Sequence, residues 1–174
     1  MSPYLSFPVP QAKSVRTLGL FAVAFVSLFF LSGLFSRPAS AAAPCVFRAT
    51  QNSDFVNIGN WTCGHTPTLG DDVWISAATT VNMNATSSIL VQNISVSGTL
   101  NVAGGTIQST STVTIISGGS VSSTNGVMHF NTVTSTGSFG TVTGGINVTS
   151  TFQNNGWFNI QDGGATTTGS LTNA

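Results

Sequence analysis

Glycine recurs in this chain at a spacing that few folds can use. Gly98-Thr99-Leu100, Gly119-Ser120-Val121, Gly137-Ser138-Phe139 and Gly156-Trp157-Phe158 each read glycine, spacer, apolar residue, and successive units lie 21, 18 and 19 residues apart. A second glycine follows each of them by seven residues, at Gly105, Gly126, Gly144 and Gly163. A period near 19 with two glycine corners and no helical stretch matches one coil of a parallel β-solenoid, in which each coil pairs its backbone with the next. Glycine suits such corners because a tight turn often needs a positive φ, which it adopts without steric cost.

The intervening residues agree. From Pro44 onward Ser and Thr make up 40 of 131 residues, with Val, Ile and Asn filling much of the rest; β-branched side chains fit a pleated surface and crowd a helix. Short apolar or alternating pieces recur as expected strands: Val73-Trp74-Ile75, Val81-Asn82-Met83, Ile89-Leu90-Val91, Ile94-Ser95-Val96, Leu100-Asn101-Val102, Val113-Thr114-Ile115, Val127 to Phe130, and Ile146-Asn147-Val148. The expected fold class is therefore all-β, a right-handed parallel β-solenoid (β-helix). The organisation expected is a leader over 1–43, an N-terminal cap and first strands over 44–87, and coils over 88–174, open at the C-terminal end or continuing in a longer protein. Four to five coils would span roughly 20–25 Å at the strand spacing. The alternative is an antiparallel β-sandwich, whose turn signals every 8 to 12 residues overlap with these. Leu100, Val121, Phe139 and Phe158 should stack on one another inside the solenoid, which leaves Trp157 pointing outward.

Charge excludes whole classes of function. Only 5% of residues are charged, and the four acidic residues are all aspartates, Asp54, Asp71, Asp72 and Asp162. Lys13, Arg16 and Arg37 precede Ala43, so a single cation, Arg48, faces four aspartates beyond it. Phosphate neutralisation needs clustered Lys and Arg, so nucleic acid is not an expected partner.

Those early cations belong to a leader. Lys13 and Arg16 precede an uncharged stretch over residues 17–36 rich in Leu, Phe and Val, and Ala39-Ser40-Ala41 and Ala41-Ala42-Ala43 follow. This is the pattern of a signal peptide cleaved after Ala41 or Ala43. The other reading is an uncleaved membrane anchor, since about 20 apolar residues span a bilayer; membrane contact is expected only by that route. Pro44 directly before Cys45 does not suit a lipoprotein leader. In an exported chain the two cysteines, Cys45 and Cys63, are expected to form one disulfide, with two buried free thiols as the alternative. Cys63-Gly64-His65 lacks the four ligands of a structural zinc site.

Chemistry-bearing residues are few. Pro67, Gly70 and Asp71 read as a turn. The functional alternative makes Asp71 and Asp72 calcium ligands, although calcium takes six to eight oxygens and no Asp-rich repeat follows; no other cofactor is expected. Glycoside hydrolysis uses two carboxylates across the scissile bond, whereas adjacent residues on a strand point to opposite faces. A Lys or Arg base for a lyase has one candidate, Arg48, before the coils. His129 reads as a half-exposed strand residue, and no catalytic residues are expected. Trp61, Trp74 and Trp157 offer aromatic faces for sugars, with Trp157 and then Trp74 as the candidate carbohydrate contacts; the commoner role of such tryptophans is in a core or a cap.

The stretch Trp61-Thr62-Cys63-Gly64, Pro67, Gly70-Asp71-Asp72-Val73, Ile75, Val81 and Val96-Ser97-Gly98-Thr99-Leu100 resembles the opening of secreted bacterial surface proteins that begin a β-helical region, and is similar to the G8 type of module. Phe55 stands where such openings often carry a tryptophan. The resemblance covers roughly residues 60 to 102 and implies an extracellular structural or glycan-associated role with no assigned catalytic residues. The expectation is a non-catalytic structural or adhesive surface module; a carbohydrate-binding module and a polysaccharide-degrading enzyme are the alternatives. Expected partners are extracellular glycans, other surface proteins, or a second copy stacked on the C-terminal coil.

Overall fold

A computed structural model of the protein describes residues 43–48, 53–84, 88–167 and 169–174. The expected leader, apart from Ala43, lies outside the described residues, as does Ala41, one of its two cleavage points. Among the described residues every ladder between the fourteen strands is parallel and no α-helix occurs, so the chain is a parallel β-solenoid and the sandwich is excluded.

Each coil contributes to three ladders. The first ladder stacks β1 (Cys45–Val46), β2 (Asp72–Ile75), β5 (Asn93–Val96), the ends of β7 (Thr106–Ile115), β9 (Val127–Ser135) and β11 (Gly145–Asn154), and β14 (Ser170–Asn173). A second stacks β3 (Thr80–Met83), β6 (Thr99–Val102), β8 (Ser120–Ser123), β10 (Ser138–Thr141) and β12 (Trp157–Ile160). The third stacks β4 (Ser88–Val91), the starts of β7, β9 and β11, and β13 (Gly164–Thr167). Five coils result, the first of them made by β2, β3 and β4.

The alternation of the sequence becomes an inside and an outside. Leu100 pairs with Val121, Val121 with Phe139 and Phe139 with Phe158, so the four residues expected to stack do so, with Val81 below them. The first three are buried and Phe158 is half-buried. Phe139 is the hub of an aromatic group, with ring centroids 6.2 Å from Phe130, 5.5 Å from Phe152 and 6.0 Å from Phe158. Burying such a ring is worth about 1.5–3 kcal/mol.

The repeat glycines sit at two corners of each coil, but the expected reason for them needs correction. Of the eight, only Gly105 has a positive φ, +67°. Most of the others are required because the preceding coil's backbone passes where a side chain would begin. A Cβ on Gly98 would collide with the Ser76 and Thr79 carbonyls, one on Gly119 with the Val96 carbonyl, and one on Gly156 with the Gly137 carbonyl. The third corner carries no repeat glycine. It is a bend inside β7, β9 and β11, where the register shifts between Ser109 and Thr112 and between Val148 and Thr151, each opposite Asn131 of β9. Hydroxyls satisfy the backbone there: Ser109 Oγ donates to the Gln92 carbonyl at 2.8 Å.

Residues 53–71 and β1 cover the first coil. Phe55 N–H donates to the Asn82 carbonyl at 2.9 Å and Asn82 N–H to the Ser53 carbonyl at 2.6 Å, which occupies the free edge of β3. Phe47 and Phe55 meet Trp61 edge-on at 5.0 and 4.9 Å, and the Trp61 indole N–H donates to the Phe55 carbonyl at 2.7 Å. Cys45 and Cys63 are joined as expected, with Cα atoms 5.0 Å apart.

Candidate functional site

The outward columns define what the solenoid can touch. On the first ladder they run Asp72, Asn93, Thr112, Thr132, Thr151 and, two residues on, Trp74, Ser95, Thr114, Thr134, Gln153. On the second they run Thr80, Thr99, Ser120, Ser138, Trp157 and Asn82, Asn101, Ser122, Gly140, Asn159. Hydroxyls and amides dominate because each outward position of a coil lies beside the same position of its neighbour, where like charges would repel. Part of the second pair of columns is tied internally: Asn101 Nδ2 donates to Asn82 Oδ1 at 3.0 Å and Ser122 Oγ to Asn101 Oδ1 at 2.9 Å.

The tryptophans do not form one platform. Trp61 is buried in the cap. Trp74, 48% exposed, stands on β2 in the first ladder beside a hollow of about 320 Å³ lined by Pro44, Asp72, Ser95 and Thr114. Trp157, 61% exposed, stands on β12 in the second ladder, as its spacer position requires. Next to it lies a trough of about 220 Å³ lined by Ser138, Gly140, Asn159 and Gln161. Ser138 is the spacer of its glycine repeat, but no sequence motif singles out Gly140, Asn159 or Gln161; the signal for the first two is the ladder register, which brings Gly140 beside Asn159 as it brings Ser138 beside Trp157.

The aspartates separate. Asp71 lies in the turn before β2, where its Oδ2 accepts from the Thr68 N–H at 2.7 Å and the Thr68 hydroxyl at 3.0 Å, with His65 Nδ1 3.8 Å away. Asp72 points out from β2 and accepts from Asn93 Nδ2 at 2.7 Å. The two carboxylates thus serve different hydrogen-bond systems. Asp54 Oδ1 accepts from the Val56 N–H, and Asp162 is exposed after β12. Among the described residues one group of three metal-ligating side chains occurs, Cys45, Cys63 and His65, and its two sulfurs are bonded to each other. His129 is half-buried on β9, level with Gln108 and Asn147. Arg48 is exposed in the cap.

Comparison with known proteins returned no matching family model, curated protein or solved structure.

Proposed function

We propose that this chain is exported and acts outside the cell as a non-catalytic structural or adhesive surface module. The observation that carries the reading is the regular stack of five coils faced mainly with hydroxyl and amide columns, Asp72 being the one charged member of those on the first two ladders. Such a stack is a rigid spacer and a repeated contact surface. The disulfide supports an oxidising compartment, and the leader pattern supports export, with membrane attachment only if it stays uncleaved. The resemblance to secreted proteins with G8-type openings points the same way.

The acid and base groups favour binding over chemistry. Asp71 and Asp72 are engaged with Thr68 and Asn93 and do not face one another across a cleft as hydrolysis of a glycoside needs. A second reading, a carbohydrate-binding module, is favoured by the exposure of Trp157. Partners on either reading are extracellular glycans or other surface proteins, with no cofactor.

The test has two arms. In the native host a tagged chain is expected in the surface or medium fraction and open to protease on intact cells. The purified mature chain is expected to release neither reducing ends nor unsaturated uronates from a panel of polysaccharides. Turnover that Asp71→Asn or Asp72→Asn abolishes, or a tagged chain confined to the cytosol, would overturn the proposal.

A further inference from the structure

We infer that Trp157 and the trough at its foot bind one neutral hexopyranose unit of an extracellular polysaccharide. This rests on the extracellular, non-catalytic reading and gives it a ligand class. The first ground is that the fold does not need an aromatic ring there. The same column carries Thr80, Thr99, Ser120 and Ser138 in the preceding coils, all of which stack correctly. Trp157 nevertheless keeps most of its surface in water, a state that large apolar rings leave readily when a complementary surface arrives.

The second ground is the shape beside it. The neighbouring column has no side chain at Gly140, whose Cβ position is taken by the Asn159 carbonyl, so no side chain rises there between Ser122 and Asn159, and a hollow of about 220 Å³ lies beside the indole. The third is chemistry. Ser138, Asn159 and Gln161 present a hydroxyl and two amides to this hollow, and none of these side chains hydrogen-bonds to another described residue. None of the lining groups is charged.

A ligand that fits must be uncharged, must offer one apolar face to the indole and must carry several hydroxyls for the amides. A hexopyranose has a C–H face and a rim of hydroxyls. A stacked nucleobase would bring phosphates, which need cations that this surface lacks. A proline-rich peptide docks in grooves lined by several aromatics, and one indole stands here.

Affinity electrophoresis in gels containing soluble neutral glucans, mannans or galactans, followed by calorimetry with oligosaccharides of the one that retards, tests the inference on the whole mature chain. At least one of these should retard the protein. Trp157→Ala should weaken binding tenfold or more, Trp157→Phe should retain part of it, Asn159→Ala should weaken it severalfold, and Trp74→Ala should leave it unchanged. Unaltered circular dichroism and melting temperature of the variants show that the coils persist. No retardation by any neutral polysaccharide, binding that survives Trp157→Ala with the wild-type constant, or retardation by acidic polysaccharides alone would each overturn the site. Any of these, with no turnover detected, leaves the non-catalytic surface-module reading standing, so the two can fail separately.

Discussion

Gly144 and Gly145 are adjacent, yet the same substitution should do opposite things to them. A Cβ on Gly144 would run into the Gly126 carbonyl and the Ser123 hydroxyl, and would lie 2.9 Å from Ser123 Cβ. Ser123 cannot swing aside cheaply. It is buried, and its hydroxyl donates to the Gly126 carbonyl at 2.7 Å. Gly144→Ala therefore forces two coils apart or breaks a buried hydrogen bond. A Cβ on Gly145 meets only Val127 Cγ1 at 3.8 Å, ordinary contact, and its φ is not in the left-handed region.

Overpacking costs about 1–3 kcal/mol; against a fixed carbonyl the upper half of that range applies, so Gly144→Ala should lose about 2–3 kcal/mol. Gly145→Ala should gain up to about 1 kcal/mol by restricting the unfolded chain. At several degrees per kcal/mol for a domain of this size, the two melting temperatures should differ by roughly 10 °C. Thermal and urea unfolding of both variants, followed by circular dichroism, measures the difference. Equal shifts, or a larger loss at Gly145, would refute the claim that coil stacking rather than turn conformation demands glycine.

Phe139→Ala should cost about 3–5 kcal/mol, the usual range for emptying a buried phenylalanine site, and hydrogen exchange should show the loss spreading to the coils holding Phe130, Phe152 and Phe158. Reducing the Cys45–Cys63 bond should lower stability by about 3 kcal/mol for a loop of this length, with new amide exposure confined to the cap and β2; intact mass of secreted material should show no free thiol before reduction and a chain beginning at Ala42 or Pro44. A polypeptide made to end at Ala174 exposes Leu171 to 58% and leaves a hollow of about 360 Å³ among Phe158, Ile160 and Leu171, so its sedimentation coefficient should rise with concentration, and Leu171→Asp should suppress the rise.

Part of the site is legible in the sequence. Trp157 follows its glycine by one residue, as Thr99, Ser120 and Ser138 do, and a spacer between a corner and an inward Phe158 must face out. The trough is not legible there. Its lining comes from Ser138 and Gly140 of one coil and Trp157, Asn159 and Gln161 of the next, and no local pattern reports which residues of successive coils share a surface. Likewise three tryptophans in one chain suggest a shared platform, whereas the ladders put Trp74 and Trp157 on different sheets and Trp61 inside the cap.

What the amino-acid order determined by itself is the register of the coils. Glycine must occupy equivalent places in every coil that has another beneath it, so its spacing counts residues per coil directly and brings Leu100, Val121, Phe139 and Phe158 into one column. The two cysteines, the only pair in the chain, likewise had one partner each. Tertiary structure alone decided where the stack begins and how many sides it has. The first coil carries Thr79 where the next carries Gly98, because among the described residues no earlier coil presses on that corner, so the glycine count starts one coil late. The third corner bends within continuous strands and is held by hydroxyl-to-carbonyl bonds such as Ser109 to Gln92. A serine or threonine serves that purpose as readily on any strand surface, and so the corner leaves no mark in composition until neighbouring coils supply the carbonyl.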